Sequence, residues 1–516
     1  MTATRGSERL EGAAPVTAIT TADLHLAASP ALDDVLRSVP GFTLFRRTSS
    51  RTANPTAQGA SLRGVSASGA SRALVLADGA PLNDPFGGWV YWDRVPQAAI
   101  DRVEVVRGGT SDLYGADALS GVVQVLTRRP QGPSLAGTVE GASYTTPRTS
   151  LFAGTAGAGW SGFLAGEASR TTGTWVVASE DRGSVDTRAG SDYMSGLAGV
   201  GIDRRSGWSL RLRLDALGES RENGTLLQTN STDLRQGRFD VTAPLGGGRL
   251  EAYGQIGDQV YRQAFSAVNA TRTAETLTVR QRVPASQFGY GVTWRRLFGT
   301  LDLLAGAESR EIVATNGETS YLPDGGVRAT TATRGFQRSS GGFAQVRAIM
   351  GARTTLVAGL RGDAWQRERG DGGLGVLSPR VSVSHEVTSG VTVRGAFTSS
   401  FRAPTLNERY RGFRVGNVLT LPNAALEPER LTSGEGSVVW DRHRTTLRMT
   451  AFASSLDEAI TNVTLSTPPQ LITRQRQNAG VLRASGLEAE GEYRASPGLT
   501  FVASLALTRA RFADTP

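Results

Sequence analysis

The chain has 516 residues and a formal net charge of +9, enough sequence for one small and one very large domain. All 56 of its basic residues are arginines spread along the chain, without the basic patch that nucleic-acid binding requires. No run of about 18 apolar residues occurs, so a transmembrane helix is excluded. The absence of cysteine excludes a disulfide framework, a thiolate metal site and a cysteine nucleophile.

The first part of the chain is small and polar, with no apolar stretch of the kind found in a secretory signal. Residues 1–15 predict a tether, and Val16–Thr20 predicts a first strand. In Ala31–Val39, apolar side chains recur at the spacing of one helix face, which predicts a short amphipathic helix. Ser29 is expected to be its N-cap and Pro30 its first residue.

Three short apolar runs follow, at Ala73–Ala77, Val103–Val106 and Gly121–Leu126. They are bounded by Gly, Pro, Asn and Asp, which is typical of buried strands in a small mixed domain. Asp78-Gly79 predicts a turn, because glycine tolerates a positive φ. The sequence therefore predicts a compact α+β domain over residues 16–131.

From residue 132 onward, segments of about ten residues alternate apolar with polar side chains. Examples are Trp208–Ala216, Pro379–Val387 and Gly486–Arg494. Successive side chains of a strand point to opposite faces, so each strand would have one apolar and one charged face. Strands of this kind suit a barrel whose outer face contacts lipid and whose inner face contacts water. Residues 132–516 therefore predict a large antiparallel transmembrane β-barrel of about eighteen strands, with an aromatic girdle near the strand ends.

Long polar segments between some of these strands predict loops on one side of the barrel, with tight turns on the other side. The predicted long loops are Ser179–Ser191, Glu219–Asp233, Gln263–Glu275, Thr315–Arg334 and Thr405–Glu429.

Four motifs of the N-terminal domain resemble the plug domain of TonB-dependent outer-membrane receptors. The residues that carry these motifs are Gly64, Asp78, Gly79, Arg102, Glu104, Gly108, Tyr114 and Gly115. Phe401–Glu408 and Pro422–Glu429 resemble a barrel stretch of the same family, so the resemblance covers most of the chain. It implies a mainly β fold in which a barrel of about 22 strands encloses the α+β plug.

Relative to that family, the chain is expected to be truncated at both ends. Met1, Thr2, Ala3, Thr4 and Arg5 resemble the last part of the TonB box, the segment that contacts the energy-coupling protein. The chain ends at Asp514-Thr515-Pro516, whereas barrels of this kind end in a strand with a terminal aromatic residue. An open barrel edge would leave unpaired backbone groups in lipid, so about four C-terminal strands are expected to be missing.

The resemblance implies active import of a bulky, scarce ligand across the outer membrane by a monomer that contacts lipid and a TonB-type inner-membrane partner. A ferric siderophore is the first expectation for the ligand and cobalamin the second, and an oligosaccharide remains open. A passive porin or a surface adhesin is the alternative. No enzymatic activity, cofactor, metal or nucleic acid is expected, since His25, His385 and His443 stand in separate contexts without metal-ligand spacing.

The resemblance also implies that ligand binds at the apex of the plug, in loops 65–71 and 83–92. The candidate contacts are Ser68, Asn83, Phe86, Trp89, Tyr91 and Trp92. The aromatic side chains among them offer amphipathic surfaces that suit a bulky ligand. Packing of these rings against the barrel wall is an equally good interpretation.

A plug has to be held in place and yet be releasable, and arginine–carboxylate contacts are both strong and directional. By resemblance, Arg63 and Arg107 are expected to face carboxylates of the barrel. Glu435 and Glu488 are the candidate partners. The alternative is that these two glutamates are ordinary solvated residues of the lumen.

Overall fold

A computed structural model describes residues 16–27, 29, 31–46, 48–65, 69–468 and 470–514. The expected TonB contact, Met1–Arg5, lies outside the described residues, as do Pro30 and the apex residue Ser68. Within the described part, no helix is long and apolar enough to cross a membrane.

The N-terminal domain, called the plug below, is a small α+β unit. In chain order its elements are β1 (Val16–Thr20), α1 (Thr21–Leu26), α2 (Leu32–Leu36), β2 (Phe42–Leu44), β3 (Ala60–Leu62), β4 (Leu74–Ala77), β5 (Ala80–Pro81), β6 (Ile100–Arg107), α3 (Ser111–Tyr114) and β7 (Gly121–Thr127). Five of the strands form a sheet in the order β1-β6-β7-β4-β5, in which β4 and β7 are parallel. The three strands predicted from apolar runs are confirmed as β4, β6 and β7.

The predicted helix is present but shorter than expected. It spans Leu32–Leu36, and its N-cap is Ala31, so the assignment of Ser29 as N-cap was wrong. The Ser29 hydroxyl instead accepts a hydrogen bond from the Ala31 amide and donates one to Asp34. The Ser29 side chain therefore stabilises the segment that immediately precedes the helix.

The turn predicted at Asp78-Gly79 joins β4 to β5. Asp78 has φ +46° and Gly79 has φ +82°, the left-handed conformation that favours these residue types at a tight hairpin. The Asp78 carboxylate also accepts hydrogen bonds from the amide and hydroxyl of Thr127, at 3.0 and 2.6 Å. These bonds tie the turn to the end of β7.

The remaining chain is almost entirely strand. Its first elements are β8 (Ser134–Ala142), β9 (Thr146–Gly157), β10 (Trp160–Trp175), β11 (Arg188–Asp203), β12 (Ser209–Glu222), β13 (Thr229–Leu245), β14 (Gly248–Val268), β15 (Glu275–Phe298), β16 (Leu301–Tyr321), β17 (Val327–Met350), β18 (Thr354–Gln366), β19 (Leu374–Thr388) and β20 (Val391–Arg402). They are followed by α4 (Leu406–Tyr410), β21 (Phe413–Val415), β22 (Val418–Leu421), β23 (Glu429–Arg442), β24 (Thr445–Asp457), β25 (Ile460–Ser466), β26 (Ile472–Asn478), β27 (Val481–Ser496) and β28 (Leu499–Asp514).

Seventeen of these strands make up a closed barrel, one fewer than the approximate number expected. Barrel strands that are consecutive in chain order pair antiparallel, with β20 next to β23 and β24 next to β27, and the ring closes where β28 lies next to β8. A separate four-stranded sheet, which is not part of the ring, consists of the short strands β21, β22, β25 and β26.

The two faces of the barrel strands differ as the alternation predicts. On β12, Leu214 points outward and is 52% exposed, whereas its neighbours Arg213 and Asp215 are buried on the inside. On β19, Val381 and Val383 are likewise exposed while the polar side chains between them are buried. The outer surface is therefore apolar and suited to lipid, and the charged side chains face the plug.

Connections at one end of the barrel are tight, such as residues 246–247, 299–300 and 389–390. We call this the short-turn end and the opposite end the long-loop end. At the long-loop end, the predicted loops 219–233, 263–275 and 315–334 shrink to 223–228, 269–274 and 322–326, because the strands continue well past the alternating segment. A long connection at 458–480, which carries β25 and β26, was not predicted.

Candidate functional site

The plug is attached to the barrel wall by buried ion pairs, and Arg63 makes the first of them. Arg63 and Gly64 form a turn with φ values of +56° and +72°, which directs the guanidinium at the wall. Its Nε and Nη2 donate to the two carboxylate oxygens of Glu488 at 3.2 and 3.1 Å, and its Nη1 donates to Glu435. The structure thus brings together three of the four residues that the resemblance implied.

The fourth residue, Arg107, is fully buried beside this pair at the end of β6. Its Nη2 donates to Glu490 at 2.6 Å and to the Thr17 hydroxyl at 2.9 Å, and its Nη1 lies 3.4 Å from Glu488. Glu490 was missed, although it stands two residues after Glu488 in an alternating strand and so faces the same side. Glu435 contacts Arg63 rather than Arg107.

A second group of buried ion pairs joins the plug to the long-loop end of the wall. Arg72 of the plug donates through Nη2 to Glu429 of β23 at 2.6 Å. Glu429 also accepts from Arg402 Nε at 2.5 Å, and Arg402 Nη1 donates to Glu408 at 3.0 Å. Three of these residues lie in the barrel motifs that resemble the family, but their sequence spacing does not reveal the contact with Arg72.

The opposite wall contacts the plug as well. Arg94 Nε donates to Asp215 at 2.6 Å, and Arg213 Nη1 donates to Asp78 at 2.8 Å. Removing one partner of such a buried pair leaves an uncompensated charge, which costs about 3–5 kcal/mol. The plug is therefore held from both sides by contacts that do not break singly without a large loss of stability.

One plug carboxylate in this region is poorly compensated. Asp93 lies 3.7 Å from Arg221 of β12. The pKa of Asp93 is raised to about 7: burial is the largest cause, Glu219 and other nearby carboxylates add to it, and Arg221 opposes it. The protonated form of this carboxyl is therefore favoured relative to a solvated aspartate.

The remaining plug-motif residues shape the plug itself. Arg102 donates to Glu104 at 2.8 Å, a pair that lies within β6. Gly108 and Gly115 have φ values of +85° and +67°, and a Cβ at Gly115 would lie 2.6 Å from the guanidinium of Arg361. Tyr114 is buried against Leu74, Leu76 and barrel residue Phe343.

The apex residues are all buried where the structure describes them. Phe86, Trp89 and Tyr91 pack in one cluster with wall residues that include Tyr193, Leu217, Leu234, Tyr261 and Val283. Trp92 belongs to the plug core, with its ring 6.2 Å from that of Phe42. The Asn83 side-chain oxygen accepts a hydrogen bond from the Val75 amide at 2.8 Å and stabilises a turn. Phe86, Trp89 and Tyr91 thus pack against the wall in this structure, and contact of the apex with a ligand remains a prediction.

The apex is covered by α4, a helix that the sequence did not predict. Thr405 and Glu408 form a capping box that starts it. Leu406 packs into the cluster of Phe86, Trp89 and Tyr91, and the Asn407 amide donates to the Phe86 carbonyl at 2.8 Å. This roof explains why the apex rings are not exposed.

Two cavities border the plug and the mouth of the barrel. One, of about 460 Å³, lies between the β4–β5 hairpin of the plug and the wall, with Leu76, Pro81, Arg238 and Glu308 in its lining. The other, of about 1200 Å³, lies at the long-loop end between β10 and β17 and is called the vestibule below. Its lining includes Trp175, Arg221, Gln263, Arg282 and Tyr321. Among the described residues, no group of three or more His, Asp or Glu is placed to hold a metal ion.

Two family models match the chain. Residues 138–516 match the model described as "TonB dependent receptor-like, beta-barrel", and residues 8–122 match the "TonB-dependent Receptor Plug Domain".

Solved structures with the same fold include two receptors and one transporter. The siderophore receptor PirA from Acinetobacter baumannii has 15% identity and a TM-score of 0.74 over 97% of this chain and 80% of its own. The ferric enterobactin receptor PfeA of Pseudomonas aeruginosa has 17% identity and a TM-score of 0.73 over 96% of this chain and 80% of its own. The copper transporter OprC has 13% identity and a TM-score of 0.79 over 97% of this chain and 81% of its own.

Proposed function

The chain belongs to the TonB-dependent receptor family of outer-membrane transporters, and from that premise we propose that it imports a ferric siderophore, drawing energy from a TonB-type partner. Cobalamin is the second candidate ligand. The N-terminal segment Met1–Arg5 is the proposed contact with that partner. Members of this family are transporters and not enzymes.

The observation that supports energised import is the filled lumen. Buried arginine–carboxylate pairs hold the plug on two sides of the ring, through Arg63 and Arg107 on one side and Arg94 on the other. A solute of siderophore size cannot pass until some of these contacts are broken. Separating several buried pairs at once exposes or isolates their charges and so requires work, which an inner-membrane partner would supply.

The ligand proposal has support from two sources. Two of the three similar structures named above are receptors for siderophores, and the third is a copper transporter. The vestibule, at about 1200 Å³, is large enough for a bulky chelate. A passive porin is disfavoured, because a porin keeps a water-filled lumen whereas here the plug occupies it.

Uptake by cells tests this proposal. The protein is expressed in the outer membrane of a host that lacks its own siderophore and cobalamin receptors, and cells are supplied with radioactive iron as a chelate or with labelled cobalamin. We expect saturable accumulation of iron that stops when a protonophore collapses the proton-motive force or when the host lacks its TonB-type protein.

The controls separate the alternatives. Accumulation that survives the protonophore would indicate a passive pore, and accumulation of cobalamin without iron would favour the second candidate. Cells that express the protein but accumulate neither compound above the empty host would contradict the proposal.

A further inference from the structure

Buried arginines in this protein are almost always paired with a carboxylate. The described part of the chain contains fourteen buried arginines, and twelve of them lie within ion-pair distance of an Asp or Glu. The two exceptions are Arg409 and Arg411. They stand two residues apart, at the end of α4 over the apex of the plug.

Neither exception lies within ion-pair distance of a carboxylate among the described residues. The nearby charges act only at longer range: Glu368 and Asp371 on Arg409, and Glu318 and Asp84 on Arg411. Arg409 donates only to the backbone carbonyls of Ala424 and Phe336, both at 3.4 Å. Arg411 donates to the side-chain oxygens of Asn407 and Gln263, at 3.4 and 3.3 Å. The Nε of Arg411 is buried without a hydrogen-bond partner.

A third arginine completes the group, which we call the roof arginines: Arg409, Arg411 and Arg476. Arg476 lies on β26, half buried, and donates to the carbonyls of Asn407 and Arg411 at 2.8 and 3.0 Å. Burial disfavours the charged guanidinium, so it lowers the pKa of Arg476 to about 10 and also lowers the pKa of the other two.

Two of the carboxylates that act on the roof arginines at longer range, Glu408 and Asp84, have hydrogen-bond partners elsewhere. Glu408 is bound by both terminal nitrogens of Arg402. Asp84 accepts hydrogen bonds from the side chains of Tyr91 and Gln259 and from two backbone amides. Three positive charges thus lie close together without a carboxylate in ion-pair contact among the described residues, and a buried charge without such a partner is costly.

The surroundings of the group suit a ligand. The Arg411 guanidinium lies 5.7 Å from the ring centres of Phe265 and Phe413, and that of Arg409 lies 4.7 Å from Tyr410. Gln263, the hydrogen-bond partner of Arg411, also lines the vestibule. An anion that enters the vestibule is therefore one side chain away from Arg411.

We propose that the roof arginines bind the negatively charged oxygen groups of the transported ligand, and that this ligand is an anionic metal chelate. This rests on the proposed function and narrows it. Oxygen anions match the forked geometry of guanidinium donors, and rings beside the arginines can pack against the flat parts of a chelate. A neutral chelate would leave the three charges uncompensated.

Stability without ligand gives a first test. Arg411→Gln combined with Arg476→Gln removes two charges and keeps polar side chains, and Arg414→Gln is the matched control, since Arg414 is exposed on the same segment. We expect a higher unfolding temperature for the double variant than for the wild type in detergent, and no change for the control. The reason is that residues kept for ligand binding often lower the stability of the ligand-free protein, so replacing them raises it. A lower unfolding temperature for the double variant would indicate a structural role and overturn the proposal.

Binding gives the second test. The probes are two anionic chelates, ferric citrate and the ferric complex of 2,3-dihydroxybenzoate, and a neutral ferric trihydroxamate, titrated calorimetrically into the purified protein. We expect at least one anionic chelate to bind at least about tenfold more tightly than the neutral one, a loss of about 1.4 kcal/mol or more in the double variant, and unchanged binding in Arg414→Gln.

The outcomes of the two experiments are distinguishable. Tighter binding of the neutral chelate, binding of neither anionic chelate, or unaltered binding by the double variant would each overturn the anionic site. Energised uptake of the neutral chelate would leave the proposed import function standing. Absence of energised uptake, measured separately in cells, contradicts the import function itself.

Discussion

Arg107 shows how much a single residue contributes to the attachment of the plug. Its guanidinium is fully buried and contacts Glu490, Glu488 and Thr17 together, so one side chain joins two strands of the plug to β27. Glu490 is shared with Arg448 of the neighbouring barrel strand at 3.4 Å. The loss of Arg107 would leave two buried carboxylates with less compensation.

We expect Arg107→Ala to loosen the plug and raise the passive leak of small solutes, because removal of one partner from a buried ion pair costs about 3–5 kcal/mol. The leak is measured as the swelling rate of liposomes that contain the purified protein. Arg102→Ala is the control, since Arg102 is partly exposed and pairs within the plug. Equal swelling rates for the two variants would argue against a role for Arg107 in holding the plug.

At the residue scale, some of the contacts between plug and wall could be predicted from the sequence. Family motifs pointed to Arg63, Arg107, Glu435 and Glu488, and the structure brings these side chains into one cluster. The motifs could not pair Arg72 with Glu429 or Arg94 with Asp215, because contacts between plug and wall depend on the register of every barrel strand. A shift of one residue in that register turns a carboxylate from the lumen to the lipid.

At the scale of secondary-structure elements, the strands could be predicted where contact with lipid requires apolar and polar side chains to alternate. The alternation in Trp208–Ala216 corresponds to the part of β12 whose leucines face outward. Beyond the lipid band both faces of a strand meet water, so the alternation fades, and the polar first third of β17 was predicted as loop. The helix α4 is one turn and a half long, too short for a periodic signal.

We expect Leu214→Arg to lower the free energy of unfolding by about 2–4 kcal/mol, because it places a charge on the lipid face near the middle of the bilayer. Chemical denaturation in lipid vesicles measures the change. Leu226→Arg is the matched control, since Leu226 is similarly exposed but lies in the connection between β12 and β13. Similar losses for both variants would contradict the assignment of the outer face of β12 to lipid.

The whole molecule consists of a ring of seventeen strands around a folded domain that touches most of its inner wall. Composition and alternation predict a division near residue 132, and the first barrel strand, β8, begins at Ser134. The burial of Phe86, Trp89 and Tyr91 was not predictable, because it depends on the roof that α4 builds from a segment more than three hundred residues later in the chain.

A cross-link can test whether the plug has to leave the wall during transport. A Cβ at Gly64 would lie 3.8 Å from the Cβ of Thr508, a separation typical of disulfides, and the chain has no other cysteine. In the variant with Gly64→Cys and Thr508→Cys, we expect oxidation to abolish energised uptake and reduction to restore it.

The single variants are the controls for the cross-link. Gly64→Cys alone reports the cost of a side chain at a φ of +72°, and Thr508→Cys alone reports any effect on β28. Uptake that continues in the oxidised double variant would indicate that the plug moves without separating from this part of the wall.

The hydrogen bond between Thr17 and Glu490 has a mechanical consequence. Thr17 is the second described residue of the chain, it belongs to the edge strand of the plug sheet, and its hydroxyl donates to Glu490 at 2.8 Å while accepting from Arg107. Traction applied to the preceding segment would peel β1 from β6 starting at the Val16–Val106 pair. The pulling force would therefore act first on the contacts of Arg107 with Thr17 and Glu490, before it strains the other strands of the plug sheet.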